Sequence, residues 1–441
     1  MALNTKHCSL TSLLSTRERG RCTSSFFERY LYKALEQKQL LADPEIVSPH
    51  QTGVSSLSLD SNDGRFLLAG AADATISIYD LSKWGSEKYV RKNTNGKYFV
   101  YSPIARSLKV PAVDQDSVEI PAGHSSSLTH VQWYPVDSGA FLSATMDGTI
   151  LFWDTNRMQP ILRVDPFENS CSAVHLQTTG NHSLIAAGSR QDNIIKLVDV
   201  RSGSCSHELV GHLDSISALQ WSPTSSVICA SGSKDGTIRL WDIRKAGGRS
   251  CVTVLQSTTS TASTRRNKPI QADYAHLRPT KRQREASSNN YHASQSQSVM
   301  RSHKGHVSGL QFFPHGDFLA SVGGGDGEML LWDLRDGQVL PSRFVAPGGQ
   351  TAAAPRRRTT PLCIDHDTIW VGRHEDMLGF SPEGGTPRQV CKGHLHSVSA
   401  IERMPHSLQL VTGSRDGMLL TWGRPPESTR RRGKVEDKDN W

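Results

Sequence analysis

The sequence predicts an all-β fold, a seven-bladed β-propeller, and three observations predict it. A Gly-His pair, an Asp-bearing turn and a Trp-Asp pair recur together along the chain. The residues between them alternate apolar and polar with a period of two, as in Ser217-Ala218-Leu219-Gln220-Trp221 and Thr237-Ile238-Arg239-Leu240-Trp241, the pattern of strands with one buried face. Glycine is frequent, 36 in 441 residues, as many tight turns require. A chain of this length suits two or three ordinary domains or one radially repeated domain, and the repeat decides for the second.

The first 44 residues read as a helical extension. Ser25 and Glu28 form a capping box, and Phe27, Tyr30, Leu31, Ala34, Leu35 and Leu41 return at helical spacing until Asp43-Pro44 stops them. A shorter upstream helix over Ser9 to Arg19 places Leu10, Leu13 and Leu14 on one side. Two alternatives stand beside a binding role: both helices packing on the propeller base, or a Ser/Thr-rich organellar transit peptide carrying Arg17, Arg19 and Arg21.

The propeller is expected over residues 45–423, and two units set its pattern. Gly123-His124 leads to Asp147 and Trp153-Asp154; Gly211-His212 leads to Asp235 and Trp241-Asp242. Both step 23 residues from His to Asp and 6 more to Trp. Gly305-His306 with Asp326 and Trp332-Asp333, and Gly393-His394 with Asp416 and Trp422, keep the 6-residue step and shorten the first. Three weaker copies bring the count to seven: His50, Asp73 and Tyr79-Asp80; Asp192 and Val198-Asp199; and a degenerate stretch from Thr368 to Phe380.

Two polar segments complete the chain. Residues 256–304 are too rich in Ser, Thr, Gln and basic side chains to bury a core and read as a disordered insert; residues 424–441 read as a disordered basic tail. The insert holds nine Lys/Arg against two Asp/Glu, so most of the formal charge of +8 lies there and the rest is near neutral. A nucleic-acid-binding propeller needs Lys and Arg on its blades, so direct nucleic-acid binding is not expected. Lys281-Arg282-Gln283-Arg284, Arg356-Arg357-Arg358 and Arg430-Arg431-Arg432 together point to a nuclear location. The eight cysteines show no metal-ligand spacing, no apolar run is long enough for a membrane span, and no phosphate-cradling Gly-rich loop is present; neither a cofactor nor catalysis is expected. Gly323-Gly324-Gly325 reads as a loosened turn between strands.

The repeated His, Ser/Thr, Asp and Trp resemble the buried hydrogen-bond tetrad of the WD-repeat (WD40) family, here His212, Ser231 or Ser233, Asp235 and Trp241. Its other members are His124, Asp147 and Trp153; His306, Asp326 and Trp332; and His394, Asp416 and Trp422. A His near an Asp and a Ser also evokes a hydrolytic triad, but four repetitions argue for structure, since a catalytic site occurs once. The resemblance implies ring closure by an N-terminal strand lent to the last blade, with Glu45 to His50 the candidate.

Particular phrases go beyond the repeat: Val131-Gln132-Trp133-Tyr134-Pro135 before Asp137-Ser138-Gly139, Trp153-Asp154-Thr155-Asn156, Ser202 to His207 before Gly211-His212, and Trp221-Ser222-Pro223 before Leu240-Trp241-Asp242-Ile243-Arg244. In these, and in Leu14 to Gly20, the chain is similar to the Cockayne syndrome group A family of WD-repeat proteins. That resemblance implies a substrate receptor of a cullin-four RING ubiquitin ligase in transcription-coupled nucleotide excision repair, acting on stalled RNA polymerase II and associated repair factors. It implies contact with the damaged-DNA-binding adaptor subunit through a helix carrying Phe26, Phe27, Tyr30 and Leu31, and through Trp241, Asp242 and Arg244; Arg335 after Trp332-Asp333 fits the same pattern. Such a helix would enter a groove by its apolar face. The basic insert and Arg-rich tail depart from that family. The main rival from another class is direct recognition of DNA by a basic propeller face, against which the near-neutral charge outside the insert speaks; a second is a generic nuclear WD-repeat scaffold.

Overall fold

A computed structural model describes residues 41–47, 50, 52–83, 90–92, 99–101, 103–111, 120–168, 170–177, 179, 183–245, 250–256, 301–347, 349–354, 359–365, 368–404 and 409–423. They form seven four-stranded antiparallel sheets, the blades. Blade 1 runs Val54–Leu59, Phe66–Ala71, Ile76–Asp80 and Ala105–Arg106. Blade 2 is Leu128–Trp133, Ala140–Thr145, Ile150–Asp154 and Gln159–Val164; blade 3 is Ala173–Leu176, Leu184–Gly188, Ile194–Asp199 and Cys205–Val210. Blade 4 is Ile216–Trp221, Ile228–Ser233, Ile238–Asp242 and Cys251–Leu255; blade 5 is Val307–Phe312, Phe318–Gly323, Met329–Asp333 and Gln338–Val339. Blade 6 is Leu362–Ile364, Ile369–Arg373, Asp376–Phe380 and Gln389–Lys392. Blade 7 is Val398–Arg403, Leu410–Ser414 and Met418–Gly423, with Leu41–Val47 as its outermost strand.

The closing strand therefore starts at Leu41. Asp43 and Pro44, read above as a helix stop, lie within it, and the boundary falls before residue 44. Proline is tolerated there because the strand is the sheet edge, where one row of N–H groups has no ladder partner. Phe26, Phe27, Tyr30, Leu31, the rest of the helical extension, all but the ends of the insert, Arg356 to Arg358 and the tail lie outside the described residues.

Local chemistry sets the hairpins. Between the second and third strands of blade 4, Gly236 takes φ of 79°, a left-handed conformation that closes a three-residue turn, while Asp235 accepts from the Thr237 N–H at 2.7 Å and hydroxyl at 2.6 Å. The same turn in blade 1 carries Ala74 at φ of 69°, with a side chain where the other blade has none.

The innermost strands are stitched blade to blade. Hydroxyls early in these strands donate onward: Ser172 to the Ile216 carbonyl and Ser217 to the Val307 carbonyl, both at 2.5 Å, and Ser399 to the Val54 carbonyl, which joins blade 7 to blade 1. Further along, a polar side chain accepts the next blade's backbone N–H: Ser58 from Trp133 at 3.1 Å, Gln132 from Leu176 at 2.8 Å, His175 from Trp221 at 3.4 Å, Gln220 from Phe312 at 2.6 Å. Glu402 holds the corresponding place in blade 7, where burial pushes its carboxyl up to about 8. Close approach needs room: a Cβ on Gly232 would lie 2.5 Å from Val307 and one on Gly413 2.8 Å from Val54.

Tryptophans of the third strands fill the seams. Trp153 packs with Leu68, Ile76 and Ile78 of blade 1, Trp241 with Ile195, Leu197 and Leu209 of blade 3, and Trp332 with Ala230, Ile238 and Leu240 of blade 4. Burying such a ring contributes about 2–3 kcal/mol or more from area alone. Blade 6 has Phe380 at that place, edge-on to Phe344 at 5.7 Å. Blade 3 departs most: Gly188 pairs with Ile195, so its turn is one residue longer than that of blade 4, and Asp192, taken above as a repeat marker, is exposed.

Candidate interaction face of the propeller

In blades 2, 4 and 5 the third strand runs from a turn bearing the tetrad Asp to the Asp of the Trp-Asp pair, so these two sets of carboxylates mark opposite ends of those blades. At the tetrad end, blade 4 holds a continuous relay. The Trp241 indole N–H donates to Ser231 Oγ at 2.7 Å, Ser231 lies 2.7 Å from His212 Nε2, and His212 Nδ1 lies 3.0 Å from Asp235. Ser231 is thus the tetrad hydroxyl; Ser233 donates instead to the Asp214 carbonyl at 2.9 Å. Burial lowers the affinity of His212 for a proton. Burial raises that of Asp235, but the His212 and Thr237 hydrogen bonds and the Leu213 N–H outweigh it and hold the carboxyl below its usual range.

Blade 2 repeats the core of this unit, Trp153 to Ser143 at 2.7 Å and His124 to Ser143 at 2.5 Å, with Asp147 accepting from Thr149 N–H at 3.1 Å. In blade 7, His394 lies 2.6 Å from Thr412, Asp416 accepts from the Met418 N–H at 2.8 Å, and Trp422 is buried. Blade 5 corrects the sequence reading. His303, not His306, is buried and lies 2.8 Å from Ser321, which accepts from Trp332 at 2.8 Å. His306 is only partly buried, and its carbonyl accepts from Gly324 at 2.7 Å. The Gly-His dipeptide drew attention to the wrong imidazole, while the interval from His303 to Asp326 is 23 residues, as in blades 2 and 4. Burial pushes His124, His303 and His394 down to about 4, so these rings are neutral near pH 7.

At the other end, the Asp of each Trp-Asp pair caps its own turn by accepting the N–H two residues on: Asn156 on Asp154 at 2.8 Å, Arg244 on Asp242 at 3.1 Å, Arg335 on Asp333 at 3.0 Å. In blades 4 and 5 the same carboxylate grips an arginine by two parallel bonds. Arg244 donates to Asp242 at 3.0 and 2.8 Å, and Arg335 to Asp333 at 3.0 and 2.7 Å. Both guanidinium groups stay well exposed, so each is a fixed cation presented to solvent. Arg335 also sits over the Phe318 ring at 5.5 Å. A third such pair was not read from the sequence: Arg65, before the second strand of blade 1, donates to Asp80 at 3.0 and 2.8 Å and covers Phe66 at 4.9 Å. Its signal was weak, because Arg65 and Asp80 are 15 residues apart and only strand pairing joins them.

Among the described residues no cluster of His, Cys, Asp and Glu could hold a metal ion, and no helix is long and apolar enough to cross a membrane.

Five segments, residues 44–80, 116–154, 203–242, 294–333 and 385–423, match the model of the WD domain, G-beta repeat. The propeller is thus built of WD repeats. The segment 203–242 spans the outer strand of blade 3 and three strands of blade 4, and 44–80 likewise joins the outer strand of blade 7 to blade 1. With 385–423, which joins the outer strand of blade 6 to blade 7, three of the five segments straddle a seam and so tie neighbouring blades covalently. Among relatives, this WD-repeat chain is 28% identical to WD repeat-containing protein ATCSA-1 of Arabidopsis thaliana over 97% of its own length and 99% of the relative's. It is 28% identical to ribosome biogenesis protein YTM1 of Phaeosphaeria nodorum over 44% of this chain and 41% of that protein. Methylosome protein WDR77 of Xenopus laevis is 27% identical over 48% of this chain and 54% of its own.

Proposed function

We propose that this WD-repeat protein is the nuclear substrate-recognition subunit of a cullin-four RING E3 ubiquitin ligase, working in transcription-coupled nucleotide excision repair. The observation that carries the reading is the extent of the likeness to ATCSA-1, which runs through 97% of this chain and so takes in segments outside the repeats. The ribosome biogenesis relatives match less than half of the chain.

The arrangement of the propeller supports a division of labour. The exposed guanidinium of Arg244, held by Asp242, is the contact to the damaged-DNA-binding adaptor subunit, with Trp241 supporting the strand behind it and Phe26, Phe27, Tyr30 and Leu31 supplying an apolar helix face. A guanidinium already oriented by two bonds loses little freedom on binding. Arg335 has the same geometry and is a second contact. The tetrad end is left for stalled RNA polymerase II and its repair factors.

The test is binding of the purified adaptor, by calorimetry, to the full chain, to a chain lacking residues 1–40, and to Arg244→Ala and Arg335→Ala. The cut falls before Leu41 because the next residues close the propeller. Binding abolished by the deletion and weakened about tenfold by Arg244→Ala, with melting temperature unchanged, is the expected result; tenfold corresponds to about 1.4 kcal/mol of binding energy. A folded full chain that does not bind the adaptor removes this reading and leaves a WD-repeat scaffold of the ribosome-biogenesis kind, which the YTM1 match favours.

A further inference from the structure

Arg239, on the third strand of blade 4, is only 5% exposed, yet its guanidinium has almost no partner. Its Nη1 reaches Cys251 Sγ at 3.9 Å, a weak contact, and its Nε is buried without a hydrogen bond. The arginines 65, 163, 244, 335 and 403 each lie within ion-pair distance of a carboxylate, whereas none of the recorded ion pairs among the described residues includes Arg239. A buried cation without a counter-charge is costly.

The equivalent place in blade 3 shows how the chain itself can satisfy such a group. Lys196 stands two residues before Val198 as Arg239 stands two before Trp241; it donates to the Pro166 carbonyl at 2.8 Å and lies over the Phe167 ring at 5.1 Å. Among the described residues, blade 4 offers no such acceptor. Arg239 shares a strand face with Trp241, which packs on blade 3, and Nη1 lies 2.7 Å from where a Cβ on Gly211 would stand. The group is therefore lodged at the rim between blades 3 and 4, against the bare backbone of Gly211. On either side of that glycine, Val210 and Leu213 are large apolar side chains left 47% and 65% exposed.

We propose that this rim is a protein-docking site in which Arg239 takes the carboxylate of an Asp or Glu flanked by apolar residues in an extended partner segment. The planar guanidinium fork matches a carboxylate, and the partner would supply the counter-charge that the propeller lacks. Val210 and Leu213 select for a protein segment over a nucleic-acid backbone, which has no apolar groups at that spacing. The proposal is independent of the adaptor reading, whose arginines lie at the other end of the blades.

The test uses the full chain and a dye-labelled, end-blocked peptide Leu-Glu-Leu-Glu-Leu, read by fluorescence anisotropy. Saturable binding is expected, weakened at least tenfold when the peptide is Leu-Gln-Leu-Gln-Leu or the protein is Arg239→Met, with Arg239→Lys in between. Equal binding of the Gln peptide, unchanged binding by Arg239→Met, or no saturation by the folded wild-type chain below about 1 mM overturns the proposal. A separate measurement guards against a purely structural role. Without peptide, Arg239→Met is expected to melt no lower than wild type, since it keeps an unbranched side chain at that place and removes a buried charge; a lower melting temperature assigns Arg239 to the fold and overturns the docking site.

Discussion

Ser231 satisfies two buried groups with one hydroxyl, the Trp241 indole N–H and the His212 imidazole. Ser231→Ala leaves the indole N–H and His212 Nε2 without a partner, at about 2–4 kcal/mol for two orphaned atoms, and urea unfolding should show the midpoint falling with the slope unchanged. Ser233→Ala, which loses a bond to the Asp214 carbonyl and one from the Asp235 N–H, both at the partly exposed turn, should cost less. Ala74 offers the opposite sign. Its left-handed φ of 69° is strained for a residue with a Cβ, and Gly236 fills that place in blade 4. Ala74→Gly is expected to raise stability by up to about 1 kcal/mol; an unchanged or lower unfolding midpoint would show that the turn carries no such strain. These positions also show where reading by residue type fails. His306 was chosen over His303 because it follows a glycine, although the interval to the tetrad Asp favours His303.

Among the elements, Leu41–Val47 closes the ring. It pairs with Met418–Gly423 and completes the last sheet, and without it that strand would present an unpaired edge. Removal of residues 1–40 should leave the thermal transition cooperative, whereas removal of 1–47 should lower the melting temperature and make association concentration-dependent in light scattering. Equal melting of the two truncations would mean that the strand contributes nothing to closure. The existence of a closing strand was legible from the need to remove a sheet edge. Its start was not, because Leu41 and Pro44 fit a helix end as well as an edge strand, and only pairing distinguishes them.

The molecule as a whole carries buried titrating groups whose effects on stability oppose one another. His124, His130, His175, His303 and His394 are pushed by burial from 6.5 down to about 4. Between those values the unfolded chain binds protons that the folded chain does not, so stability falls as pH drops from 6.5 towards 4, by about 1.4 kcal/mol per pH unit for each ring fully titrating. Glu402 works the other way. Its carboxyl is raised from 4.5 to about 8, the folded state holds a proton that the unfolded state has lost, and stability declines as pH rises from 4.5 to 8. Melting temperature should therefore peak near neutrality and fall steeply on the acid side. Glu402→Gln should flatten the alkaline side and raise the melting temperature at pH 8 while changing little at pH 4.5. A variant that melts lower at pH 8 would contradict a neutral buried carboxyl in the folded state.

The sequence by itself determined the number of blades, the strand pattern within most of them and the linked side chains of blade 4, because these depend on local spacing: two-residue alternation, an Asp before a tight turn, and a Trp six residues later. Tertiary structure alone decided why Asp192 lies idle, and that Arg65 grips Asp80 as Arg244 grips Asp242. It also decided that Arg239 is buried beside Gly211 without a counter-charge. Each of these depends on strand register or on a neighbouring blade, and a one-residue change in a turn, as in blade 3, moves a side chain from the tetrad to solvent without altering the composition of the repeat.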